Sequence, residues 1–157
     1  MMESDKIQIL EHRCYRGRNI YSHKPVMKMT VDIGRYGRSP TKDIPGFNQK
    51  LLSGFPGLKT NCCSLGYEGG FLKRLEEGTY LAHVLEHTIL EMQAMLGYDV
   101  SFGKTRTVEE PSRYYLVYQY ANEVCGLECG KAAVFILDRF IASCLKVDGT
   151  KKTIMNI

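Results

Sequence analysis

The 157-residue chain has no tryptophan, five prolines and four histidines. It contains no low-complexity tract and no internal repeat, which excludes a linker-type protein or a repeat array. No apolar run approaches the length that crosses a bilayer, and the opening MMESDKIQ carries no apolar signal region, so no membrane partner and a cytoplasmic location are expected. The six cysteines, at 14, 62, 63, 125, 129 and 144, form no C-x-x-C pair and none of the usual zinc-finger spacings; they read as reduced thiols. Gly103-Lys104-Thr105 lacks the upstream glycine of a Walker phosphate loop. Strong charge of one sign is also missing. The net charge is +4, and residues 1–42 hold nine Lys or Arg against four Asp or Glu. Those charges alternate with apolar residues as on a solvated strand face, so no nucleic-acid partner is expected.

What remains is 44% hydrophobic and 24% charged, the ordinary balance of a globular chain of one domain. Residues 1–146 read as that domain and 147–157 as a C-terminal tail or linker. The stretch Gly78 to Gly97, GTYLAHVLEHTILEMQAMLG, is the best-signalled element. Thr79 suits the N-cap and Gly97 the C-terminal left-handed position, and Leu81, Leu85, Ile89, Met92 and Leu96 share one stripe of a helix. His83, His87 and Glu91 point roughly the opposite way. The motif is His83-x-x-Glu86-His87: two imidazoles one turn apart can converge on one divalent ion, and the glutamate between them can act as a base toward water. This is the inverted order of the more familiar zinc-protease helix motif.

Around it, Lys6 to Tyr15 reads as a strand, and Met27, Met29, Val31 and Ile33 alternate with polar residues in a second. A helix is expected from about Pro45, a short helical piece over Phe71 to Glu77, strands over Tyr98 to Arg106 and Arg113 to Ala121, and a closing amphipathic helix over Gly126 to Leu145. The order β-β-α-α-α-β-β-α with short connections predicts an α+β protein, an antiparallel sheet of about four strands covered by helices.

Several of these segments resemble the N-terminal domain of cyanophycin synthetase: Asn19 to Pro25 (NIYSHKP), Ile44 to Gly57 (IPGFNQKLLSGFPG), Cys63-Ser64 with Gly69-Gly70-Phe71, Gly78 to Gln93, Gly103 to Arg106 (GKTR) and Gly126 to Gly130 (GLECG). In that family the domain precedes ligase domains that extend a poly-aspartate backbone bearing arginine. No such ligase segment lies in these residues, so no ATP-dependent ligation is expected of this chain alone. The resemblance implies a domain that holds the polymer and, where His-x-x-Glu-His is kept, hydrolyses it with a metal to make primers. Carried over by position, His83 and His87 are ligands for zinc or another divalent ion and Glu86 is the base. The motif is also similar to the helix of pitrilysin-type peptidases, where a glutamate from a later helix completes the site.

The motif helix and the closing helix are expected to share a sheet face, so the closing helix can bring a carboxylate toward the imidazoles: Glu128 is the expected third ligand, with Glu123 next, and a glutamate at this place is equally explained as a partner of the helix dipole. Glu91 lies too far along its own helix and is expected to support a ligand from behind. Lys104 and Arg106 are the expected substrate-binding cations, with Arg113 a further candidate, and Cys62 and Cys63 read as packed thiols before ligands. His12 and His23 have no partner at metal spacing. The expected partners are a cyanophycin-like polymer and ligase domains of the same or another chain, with a homo-oligomer left open. Two functions stand side by side: a metal-dependent hydrolase of the polymer backbone and a non-catalytic polymer-binding scaffold.

Overall fold

In the computed structural model, which describes residues 4–156, the alternating stretch Val26–Asp32 forms strand β2. It pairs antiparallel with β1 (Gln8–Tyr15) on one side and with β4 (Arg113–Gln119) on the other, and β3 (Gly103–Thr107) closes the order β1-β2-β4-β3. The α+β class, the antiparallel sheet and the element order match the sequence expectation. Alternation dictates the two faces. Met27, Met29 and Val31 face the helices together with their register partners Leu116 and Tyr118, and all five are buried. Lys28, Thr30 and Tyr115 face the other way.

Among the described residues four α-helices accompany the sheet: α1 (Phe47–Gly54), α2 (Gly70–Glu77), α3 (Leu81–Met95) and α4 (Glu123–Met155). Leu81, Val84, Leu85 and Ile89 of α3 and Ala133, Leu137 and Ile141 of α4 join one core with the sheet. Each fully buried aliphatic side chain there contributes roughly 1.5–3 kcal/mol of transfer free energy, which is what fixes α3 against the sheet. Glycines set the closest approach of α4. A Cβ at Gly126 would sit 2.7 Å from Tyr120 Cβ, and one at Gly130 would sit 2.8 Å from the Tyr118 hydroxyl, which donates to the Gly126 carbonyl at 2.9 Å.

Several boundaries differ from expectation for local reasons. Helix α4 starts at Glu123, because the Asn122 side chain caps it by accepting from the Cys125 amide at 2.8 Å. It also continues to Met155, through residues read from the sequence as a tail. Tyr80, not Thr79, is the N-cap of α3, and its side chain makes no capping bond. Gly97 is left-handed as expected, with φ +93°. The expected α3 stripe holds for Leu81, Leu85 and Ile89, but Leu96 is exposed and His87 is buried, because α3 is covered on two sides. Among the described residues no helix is long and apolar enough to cross a membrane.

Candidate metal centre and its cleft

The side of α3 that faces away from the aliphatic core carries His83 and His87 on adjacent turns, and α2 closes over them. Phe71 of α2 stacks on the His87 ring at a centroid distance of 4.3 Å and meets the His83 ring edge-on at 5.7 Å. This packing turns both Nε2 atoms toward one point, 3.0 Å apart. His83 is oriented from behind by the Thr79 hydroxyl, 2.8 Å from its Nδ1. Thr79, expected as a cap, therefore serves the imidazole. The Nδ1 of His87 is buried without a hydrogen-bond partner.

The third group at this point is Cys63. Its Sγ lies 3.4 Å from His83 Nε2, and the ligand atoms of Cys63, His83 and His87 all fall within 4.8 Å of one another. The turn that delivers the thiol is pinned by Asn61, whose side chain accepts from the Cys63 amide at 3.0 Å and whose carbonyl accepts from the Phe71 amide at 3.0 Å. Cys63 itself has φ +54°, a conformation that non-glycine residues rarely adopt. Gly70 allows the turn to sit directly on α2, since a Cβ there would lie 2.2 Å from the Cys62 carbonyl oxygen.

Glu86 approaches the same point from the sheet side. It is 4% exposed, its Oε1 is 3.7 Å from His87 Nε2, and its Oε2 accepts from the Thr105 hydroxyl of β3 at 2.5 Å. Gly103 makes room for it: a Cβ there would lie 2.5 Å from Glu86 Oε1. Burial pushes the Glu86 carboxyl up to about 7, against the opposing pull of the Thr105 hydroxyl and Arg106. Burial, aided by the Arg74 charge, lowers His83 to about 4; burial, His83 and Arg74 together lower His87 to about 3. Both imidazoles are thus neutral at neutral pH, so the Glu86–His87 contact is no ion pair, and the rings hold the form a metal requires.

Glu128, expected as the third donor, is not brought to this point. It lies about 200° around α4 from Gly126 and Gly130, the residues that pack on the sheet. Its side chain is 65% exposed and sits 3.8 Å from Lys131. Glu123 is at the first turn of α4, paired with Arg16. The site opens on the other side of α3, so α4 cannot reach it. Where a carboxylate from a later helix was expected, the structure places the Cys63 thiol, from the turn before α2. Adjacent Cys62 and Cys63 give no metal spacing, and the 20 residues from Cys63 to His83 carry none either; the turn chemistry of Asn61 and Gly70 is the one local signal.

A cleft of about 940 Å³ runs over the site between α3 and β3, lined by Cys63, His83, Glu86, Glu91, Lys104 and Arg106 among others. Lys104 turns its ammonium over the Phe102 ring, and Arg106 donates to the carbonyl of Thr105 at 3.0 Å. Glu91 is half-buried beside Gly57, where a Cβ would lie 2.0 Å from its Oε1, and burial raises its carboxyl. It has no ion-pair partner among the described residues. It does not contact either imidazole in any hydrogen bond seen there.

An α+β domain with a His-x-x-Glu-His helix beside an edge strand is the class these observations define. The chain belongs to the cyanophycin synthase-like N-terminal domain family, whose model matches residues 28–142. It is similar to the cyanophycin synthetase of Synechocystis sp. (strain ATCC 27184 / PCC 6803 / Kazusa), 39% identical over 130 residues that cover 82% of this chain and 15% of that protein. The cyanophycin synthetase of Trichormus variabilis (strain ATCC 29413 / PCC 7937) is 40% identical over 131 residues, covering 82% of this chain and 14% of that protein. That of Geminocystis herdmanii (strain PCC 6308) is 35% identical over 139 residues, 87% of this chain and 16% of that protein. The chain spans about one seventh of the length of these relatives.

Proposed function

We propose that this domain serves cyanophycin synthesis as a metal-dependent amide hydrolase acting on the backbone of cyanophycin or a related arginine-bearing poly-aspartate, yielding short primers. The observation that carries the reading is the convergence of two neutral imidazoles and a thiol on one point, with a buried, proton-accepting carboxylate beside it.

The donors fit a tetrahedral zinc ion, which binds imidazole at about 2.0–2.1 Å and thiolate at about 2.3 Å and so spaces its donors about 3.3–3.6 Å apart. The two pairs that include His83, at 3.0 and 3.4 Å, need shifts of a few tenths of an ångström, and the Cys63 and His87 donor atoms lie within 4.8 Å of each other. When bound by His83, His87 and Cys63, the ion supplies Lewis acidity toward a carbonyl and a water. Glu86 accepts a proton from the attacking water as the water oxygen bonds to the scissile carbonyl carbon. It returns that proton to the amide nitrogen as the C–N bond breaks, leaving an amine and a carboxylic acid that gives up its own proton to solvent. Thr105 holds it in place, and Arg106 and Lys104 at the cleft offer cations to substrate carboxylates.

The second reading, a polymer-holding module without catalysis, draws on the mutual contact of the imidazoles, which satisfies both Nε2 atoms without an ion. Metal analysis of the purified chain separates the two. About one ion per chain, lost in a His83→Ala/His87→Ala variant, supports the hydrolase; equal metal content in both proteins refutes the site.

A further inference from the structure

Strand β3 is an edge of the sheet, and it is the edge that borders the cleft. Its ladder with β4 is regular. Gln119 donates to the Phe102 carbonyl at 2.9 Å, and Val108 donates to the Arg113 carbonyl at 3.2 Å, with Lys104 opposite Val117 and Arg106 opposite Tyr115 between them. In an antiparallel ladder bonded pairs alternate, so the amides and carbonyls of Lys104 and Arg106 turn to β4. Those of Gly103, Thr105 and Thr107 turn outward. Among the described residues no strand pairs with that edge; the Thr105 carbonyl is met by the guanidinium of neighbouring Arg106, which is exposed and displaceable.

The residues with outward backbone groups are the ones that abut the candidate site. Gly103 lies against the Glu86 carboxylate and the Thr105 hydroxyl donates to it. From this coincidence we infer that the open edge of β3 is the substrate's docking rail: an extended polyamide adds to it as a further strand and thereby presents a backbone carbonyl to His83, Glu86 and His87. Backbone pairing supplies affinity and register whatever the side chains, which suits a polymer of one repeated residue. Pairing also gives alternate substrate side chains opposite directions, one set into the cleft. There the half-buried Glu91, without an ion-pair partner, offers a carboxylate to a guanidinium.

The inference rests on the hydrolase reading for its choice of ligand, and its exchange test does not depend on cleavage. The 157-residue Glu86→Gln chain supplied with zinc is mixed with purified arginine-bearing poly-aspartate, and amide hydrogen exchange is read residue by residue. The expected result is slowing of Gly103, Thr105 and Thr107 by about tenfold or more, with Lys104 and Arg106, already in the ladder, little changed. In the otherwise wild-type chain, Thr107→Pro removes an outward N–H without costing a ladder bond and should raise KM several-fold with kcat nearly kept. Unchanged exchange at the three outward amides at saturating polymer overturns the rail, whether the polymer binds elsewhere or not at all. If the wild type cleaves while the edge stays unprotected, the rail falls and the hydrolase stands; an edge protected in a chain that never cleaves gives the converse.

Discussion

Replacing Glu86 by glutamine should make the metal-free protein more stable in alkali, and the size of the gain follows from burial. The carboxyl is raised from an ordinary 4.5 to about 7, chiefly by desolvation. A group raised in the folded state contributes stability that is fully present below its unfolded value and is lost as pH rises through the folded value. For Glu86 that window runs from 4.5 to about 7, and above it the buried anion costs on the order of 3 kcal/mol at about 1.4 kcal/mol per pH unit. Glutamine keeps the shape and can still accept from Thr105, but it never ionises. The two imidazoles act in the opposite sense: lowered in the folded state to about 4 and 3, they contribute stability above 6.5 that is lost as pH falls, equally in both proteins. Urea unfolding in the presence of chelator, from pH 5 to 8.5, should therefore show Glu86→Gln ahead by about 1 kcal/mol at pH 5, rising to about 3 kcal/mol at pH 8.5. Zinc should shrink the alkaline gap, since a cation beside the carboxylate favours its charged form. A gap that is flat with pH, or a less stable glutamine variant at pH 8.5, refutes the buried-carboxyl argument.

Cys63→Ser should weaken zinc binding by at least about tenfold while Glu128→Gln leaves it unchanged, read by competition with a chromogenic chelator; equal affinities for both variants would return the third position to the helix carboxylate. Gly103→Ala should push the Glu86 carboxylate from its seat, lowering kcat at least about tenfold with zinc content kept. Gly126→Ala should cost about 1–3 kcal/mol in urea unfolding, because the added methyl meets the fixed Cβ of Tyr120 across the α4–sheet contact.

The layout was legible where one periodicity ruled a segment. Alternation at Met27, Met29 and Val31 names the face of β2 that the helices cover, and the stripe of Leu81, Leu85 and Ile89 names the inner side of α3. The motif could be read because its spacing lies within one helix turn. The place of Cys63 beside the imidazoles could not, since it comes from a turn whose shape depends on Asn61 bridging to Phe71 and on Gly70 lying under Cys62. The expected packing of both main helices on one sheet face pointed to Glu128, and the small-residue packing of Gly126 and Gly130 turns that residue to solvent. The start of α4 was signalled by Asn122, a side chain suited to capping, three residues before the Cys125 amide it holds. The reach of α4 to Met155 was obscured by Gly149 and Thr150, both poor helix formers.

The claim that His83, Glu86, His87 and Cys63 form a hydrolytic site is tested most directly by the chain length of purified arginine-bearing poly-aspartate after incubation with this chain. Zinc-loaded wild type should release shorter chains, chelator should stop the release and zinc should restore it, and Glu86→Gln with its zinc content intact should fall by at least about a hundredfold. Cleavage that survives both chelation and Glu86→Gln, or polymer left at full length by the zinc-loaded wild type, contradicts the account.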